Sequence, residues 1–161
     1  MPIGESDLVE FLREMWSVTG GRTGPKVSMW DIGTKLAWER PKTMEVEQRL
    51  EQAGLIEARA IGGSIGLTSA GQDACEERFG VVADVQEKRR AFLRWVYDQV
   101  DGMITKQTNM WQATEALGLE RDDILELFAY WRDRGMLEAP AIGGVVQLTL
   151  AGVQYVEQEG L

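Results

Sequence analysis

The chain of 161 residues is 44% apolar and 27% charged, the profile of a soluble globular protein with one or two small domains; collagenous, disordered and membrane-spanning classes are excluded. Seventeen Lys and Arg against 26 Asp and Glu give a net charge of −9 at pH 7, so a general basic coat for nucleic acid or anionic lipid is absent, although local basic patches stay open. With no His and one Cys, histidine triads, His-metal sites, disulfide frameworks and Cys-cluster zinc sites are excluded, and no cofactor is expected.

The opening MPIGESDLVEFL lacks the basic start, apolar core and cleavage site of a secretory signal, so a cytoplasmic location without membrane attachment is expected. A first helix is predicted at about 7–18, with Leu8, Phe11, Leu12, Met15 and Trp16 on one face. Val27 is a candidate for a short strand, and Ser28-Met-Trp-Asp31 has the capping-box pattern that starts a second helix. A third helix is predicted at about 43–53, burying Val46, Leu50 and Ala53 and turning Glu45, Glu47, Gln48, Arg49, Glu51 and Gln52 to solvent; Gly54 closes it. The period then switches to two short strands, 55–61 and 64–68, joined by Gly62-Gly63, and Thr68 opens a last helix. Cys75 lies between acidic residues with no cation to activate it and reads as a packing residue.

From residue 81 the same pattern runs again, without a gap, at an offset of 81 residues. GLIEARAIGGSIGLTSAG at 54–71 lies over GMLEAPAIGGVVQLTLAG at 135–152, and upstream Phe11-Leu12-Arg13 lies over Phe92-Leu93-Arg94, Met29-Trp30 over Met110-Trp111, and Glu39-Arg40 over Glu120-Arg121. The second copy is predicted to have helices at about 85–100 and 122–134, an Asn109-Met-Trp-Gln112 cap, a candidate strand at Ile104-Thr105, a Gly143-Gly144 turn and a last helix opened by Thr149. Two domains, 1–80 and 81–161, follow, at −4 and −5 in net charge. The connection Phe79-Gly80-Val81-Val82-Ala83-Asp84 is short and partly apolar, so the two are expected to pack on each other.

Three helices, a glycine-linked hairpin and a final helix is the order of a winged helix-turn-helix, and LIEARAIGGSIGLTSAG resembles the hairpin-to-helix passage of that superfamily. The resemblance covers nearly the whole chain twice. It implies an α+β, mainly helical protein of two tandem winged-helix domains, each with three helices, a Gly-Gly β-hairpin wing and a C-terminal helix. Members that bind DNA lay the third helix in the major groove.

That implication makes Arg22, Lys26, Lys35, Arg40, Lys42, Gln48, Arg49 and Gln52 candidate contacts to double-stranded DNA, with Arg59 the only cation on the first wing. In the second copy Phe128, Ala129 and Tyr130 replace Glu47, Gln48 and Arg49, among the acids Asp122, Asp123, Glu126 and Asp133. Phe128 and Tyr130 are therefore expected to contact protein, whether the first domain, a second copy of the chain or another partner, the alternative being that the helix rotates and buries Phe128 in its own core. The short basic run Lys88-Arg89-Arg90, continued by Arg94, reads as a solvated connector face. The six Trp lie mostly in helical apolar patterns and read as core; Trp38, whose twin is Leu119, is the exception.

Two functions follow. One is a DNA-binding transcriptional regulator that uses domain 1. The other is a protein-interaction or scaffold module, as tandem winged helices are in chromosome-segregation and membrane-sorting complexes. The chain has no phosphate-cradling GxxxxGK[ST] and no GxSxG, so an enzyme is not expected.

Overall fold

The structure, a computed structural model, describes residues 2–81 and 83–161. Val82, inside the expected connection, and Met1 lie outside the described residues. The chain divides into two compact units, Met1–Val81 and Val82–Leu161, each with its own apolar core. It is mainly helical with two small antiparallel sheets. Among the described residues no helix is long and apolar enough to cross a membrane.

In unit 1, α1 (Glu5–Thr19) buries Phe11, Leu12 and Met15 and leaves Leu8 and Trp16 at the margin of the core. Asp7 caps it, accepting from the Gly4 N–H at 3.0 Å; that bond, with Lys42 beside it, holds the Asp7 carboxyl below its ordinary range. After β1 (Val27–Ser28) comes α2 (Met29–Lys35). The expected capping box does not form: Ser28 is the N-cap residue but makes no side-chain cap bond. The Met29 N–H is instead taken by the Gly63 carbonyl at 2.9 Å, so the hairpin turn itself caps α2.

Helix α3 (Arg40–Gln52) starts three residues before the predicted position, because Pro41 sits in the first turn, where a missing N–H costs nothing. Strands β2 (Ile56–Ala60) and β3 (Ser64–Leu67) form the hairpin, with β1 on the far side of β3 to give the order β1-β3-β2. Ile56 pairs with Leu67 and Ala58 with Ile65, and a bulge falls between Ala58 and Ala60. Then α4 (Ser69–Phe79) begins at Thr68, whose hydroxyl accepts from the Gly71 N–H at 3.0 Å. Cys75 packs inside, and burial pushes its thiol up to about 11, which leaves it unreactive.

Unit 2 follows the same order. Helix α5 (Ala83–Gln99) is followed by β4 (Thr108–Asn109), a short 3-10 turn at Met110–Gln112, α6 (Ala113–Leu117), α7 (Arg121–Asp133), β5 (Leu137–Glu138), β6 (Val145–Leu148) and α8 (Leu150–Glu159). Its sheet order is β4-β6-β5. The third strand is not at Ile104-Thr105: β4 pairs Thr108 with Val146 and Asn109 with Val145, while Ile104 is exposed. Asn109 caps the Trp111 N–H at 2.9 Å. Strand β5 is cut short by Pro140, which has no N–H for a ladder and stands where unit 1 has Arg59.

Candidate functional site

The outer surface of α3 is set by which positions face inward. Thr43, Val46, Glu47 and Leu50 are buried, at i, i+3, i+4 and i+7, whereas Ala53 is exposed. Glu47, expected in solvent, is only 7% exposed. Burial pushes its carboxyl up to about 7, reinforced by a hydrogen bond to Glu51 and by the charge there. An unfolded Glu titrates near 4.5, so stability tied to Glu47 is full below that pH and is lost as pH rises toward 7. Glu47→Gln is therefore expected to raise stability at pH 8 by about 1–2 kcal/mol and to change little at pH 4. Urea unfolding at the two pH values checks this; an equal effect at both would place the carboxylate in solvent.

Gln48, Arg49 and Gln52 do face outward, as expected, with Glu45 and Glu51 among them. Arg49 donates to the Ile3 carbonyl and to Glu45, both at 3.3 Å. The other nominated cations are mostly engaged. Lys35 Nζ lies 2.6 Å from Glu14 and Lys42 Nζ 3.0 Å from Asp7, with Lys42 also over the Trp38 ring. Arg22 donates to the Thr19 carbonyl at 3.2 Å and is exposed, as is Lys26. The Glu14 and Asp7 carboxylates are both partly buried, which holds Lys35 and Lys42 to the protein and leaves Arg22 and Lys26 as the more available cations of this unit.

Arg59 is different. Its Nη2 donates to the carbonyls of Thr23 at 2.7 Å and Leu67 at 2.9 Å, and its Nε lies 2.9 Å from Glu57. The guanidinium lies flat on Gly66, where a Cβ would meet it at about 2.6 Å. It ties the loop before β1 to the hairpin and is a structural residue of the fold, so the first hairpin offers no outward cation.

In unit 2 the expected apolar reading face is absent. Phe128 is 7% exposed and belongs to the core with Ile124, Leu127 and Trp131. Tyr130 is half-buried, with the Arg89 and Arg134 guanidinium groups 3.8 and 3.5 Å from its ring centroid. Arg89 is itself buried, and its carbonyl accepts from the Trp131 indole at 2.9 Å. The basic run on α5 is thus partly interior: Lys88 pairs with Asp84, Arg94 with Asp98, and Arg89 packs on Tyr130. Trp38 lies near-parallel to Phe11 at 6.3 Å and packs on the core of unit 1.

A surface that sequence reasoning missed occurs once in each unit. In unit 1 the Arg40 guanidinium lies 4.4 Å over the Trp30 ring, and the indole edge presses on Gly63, where a Cβ would come within about 2.6 Å of Trp30 Nε1. Gly63 also has φ +91°, so both space and backbone require glycine. At the tip of the hairpin Ile61 is fully exposed, and Met44, one turn after Arg40 on the same helix face, is also exposed. Unit 2 repeats each part. Arg121 lies 4.0 Å over Trp111, Trp111 packs on Gly144, and Ile142 and Leu125 are exposed. The Met110 N–H donates to the Gly144 carbonyl at 2.8 Å, and Asn109 Nδ2 donates to Gly143 at 3.2 Å, so the turn is held rigidly. The pairs Ile61/Ile142 and Arg40/Arg121 were legible in the repeat; their meeting at one surface was not.

No family model matches the chain, and no curated protein is similar to it. Among solved structures, the chain is similar to the mRNA-binding domain of elongation factor SelB from E. coli, in complex with SECIS RNA. The similarity covers 86% of this chain and 97% of that one, at 12% identity and a TM-score of 0.35. A likeness so distant carries no argument about function.

Proposed function

We propose that the chain is a non-catalytic adaptor made of two winged-helix domains and that it works by binding protein. One observation carries this reading. Across the duplication the exposed set Arg40, Met44 and Ile61 is kept in kind as Arg121, Leu125 and Ile142, whereas the outward polar residues Gln48, Arg49 and Gln52 become Ala129, Tyr130 and Asp133. Beside shared charges such as Glu39/Glu120 and Glu57/Glu138, the two units thus keep exposed apolar side chains next to an indole–guanidinium stack, and such side chains form the centres of protein interfaces. The net charge of −9 and the internal use of Arg59 weigh the same way.

A second reading, a DNA-binding regulator acting through unit 1, is favoured by one specific feature. Burial of Glu47 removes a carboxylate from the outer face of α3 and leaves Gln48, Arg49 and Gln52 there, with Arg22 and Lys26 exposed on the same unit. The two readings separate in an affinity capture from source-cell extract with the full chain as bait. Under the first, a bound protein survives nuclease treatment and is lost when Ile61→Asp and Ile142→Asp are combined. Capture that disappears with nuclease and ignores both isoleucines favours the second.

A further inference from the structure

We propose that unit 1 holds a small-molecule site between α1 and the β1–α2 corner, and that its ligand is a free α-amino acid with an aliphatic side chain. The site lies apart from the hairpin tip and stands whether the chain binds protein or nucleic acid. A cleft of about 320 Å³ opens there, within the range of small-molecule sites. Its polar lining is Glu14, Lys26, Ser28, Asp31 and Lys35, and its apolar wall is Val18, Val27 and Ile32. The four charges cancel. Glu14 is mostly buried, and Lys35 Nζ reaches its Oε1 at 2.6 Å. Among the described residues, Lys26, Ser28 and Asp31 make no side-chain hydrogen bond or ion pair.

The duplication shows that the fold itself asks for none of these charges. The twins of Glu14, Lys26, Asp31 and Lys35 are Trp95, Gln107, Gln112 and Ala116, so unit 2 keeps none of the four. Trp95 is buried in the core, its ring 6.2 Å from that of Phe92. Asn109, the twin of Ser28, commits its side chain to the Trp111 N–H and the Gly143 carbonyl, whereas the Ser28 hydroxyl is left over. A partly buried carboxylate loses hydration that one exposed lysine repays only in part, and an indole at the same position avoids that cost. Unit 1 therefore gives up packing at this corner and gains a cleft with uncommitted polar groups.

The lining selects the ligand. A simple cation would leave Lys26 and Lys35 unanswered, and a simple anion would leave Glu14 and Asp31 so. Glu14 and Lys35 set opposite charges side by side, and an α-amino acid carries its ammonium and carboxylate on one carbon, at similarly close spacing. In the site its ammonium donates to the carboxylates of Glu14 and Asp31. Its carboxylate accepts from the Lys26 and Lys35 ammonium groups and the Ser28 hydroxyl. An aliphatic side chain then rests on Val18, which is half-exposed without a ligand, and on Val27 and Ile32.

The test is methyl NMR of the full chain titrated with L-leucine, and in parallel with isocaproate and isoamylamine, which are leucine without its ammonium and without its carboxylate. Leucine is expected to saturate at one per chain and to move the Val18, Val27 and Ile32 methyl signals while those of unit 2 stay in place. Each half-molecule should bind about tenfold more weakly or worse, since it leaves one pair of charges unanswered. Glu14→Trp and Lys35→Ala, which install the residues of unit 2, should each weaken leucine by about tenfold or more. Lys35→Ala changes an exposed side chain, so it decides the matter even where Glu14→Trp fails to fold. No saturable shift at millimolar leucine, or shifts in unit 2 instead, would overturn the site. Half-molecules that bind as tightly as leucine, or affinity unchanged in Lys35→Ala, would overturn the zwitterionic ligand.

Discussion

Phe128→Asp is expected to unfold unit 2. The ring is buried among Ile124, Leu127 and Trp131, and truncating a buried Phe alone costs about 3–5 kcal/mol, before the cost of placing a carboxylate in the space. Against a total stability of about 5–15 kcal/mol, that is enough to abolish the native state of the unit. Hydrogen exchange on the full chain reads it directly: protection is lost across α5, α7 and β6. A variant that kept its protection and lost only an association would instead place Phe128 on a surface.

Gly71→Ala should be nearly as damaging, against the usual preference of helices for alanine. Gly71 lies in the first turn of α4, where by propensity alone the change would stabilise by about 1 kcal/mol. An added Cβ, however, would fall on the carbonyl oxygen of Leu55, well inside contact distance. That carbonyl is fixed, because it accepts from the Thr68 N–H at 3.1 Å while the Thr68 hydroxyl donates to the Gly54 carbonyl at 2.5 Å. Relief requires breaking this junction between the end of α3, the hairpin and α4, at a cost of about 3 kcal/mol or more. Gly152 stands in the same relation to the Met136 carbonyl, so Gly152→Ala should behave alike. Denaturant unfolding decides the matter, and an increase in stability for either variant would refute the close approach.

Much of the fold was legible because two copies of one pattern check each other. The turn glycines, Thr68 and Thr149 as helix caps, and the inward faces of the first helices all follow from spacing alone. Helix α3 was harder, since Glu47 and Thr43 on its buried face read as polar and shifted the apparent stripe to Val46, Leu50 and Ala53. The second copy held the correction: Ile124, Leu127, Phe128 and Trp131 are apolar at the same four positions and set the phase for both. The third strand likewise follows from the offset, which lays Thr108-Asn109 over Val27-Ser28 and sends Ile104-Thr105 to a loop. Hidden from the sequence were tertiary pairings. That Arg59 turns inward onto backbone carbonyls, that Arg89 covers Tyr130, and that Arg40 stacks on Trp30 depend on elements far apart in the chain.

Whether the chain binds protein, as proposed, or nucleic acid is open to a simple titration. The decisive experiment is fluorescence anisotropy of labelled random-sequence duplex DNA and of single-stranded RNA, titrated with the full chain at low and rising salt. The expected result is no saturable binding of either even at low salt, because each unit is acidic and the two hairpins present no outward cation. Binding that weakens steeply with salt and is lost when Arg49 and Lys26 are changed to Glu would overturn protein binding as the function and return it to unit 1 and its third helix.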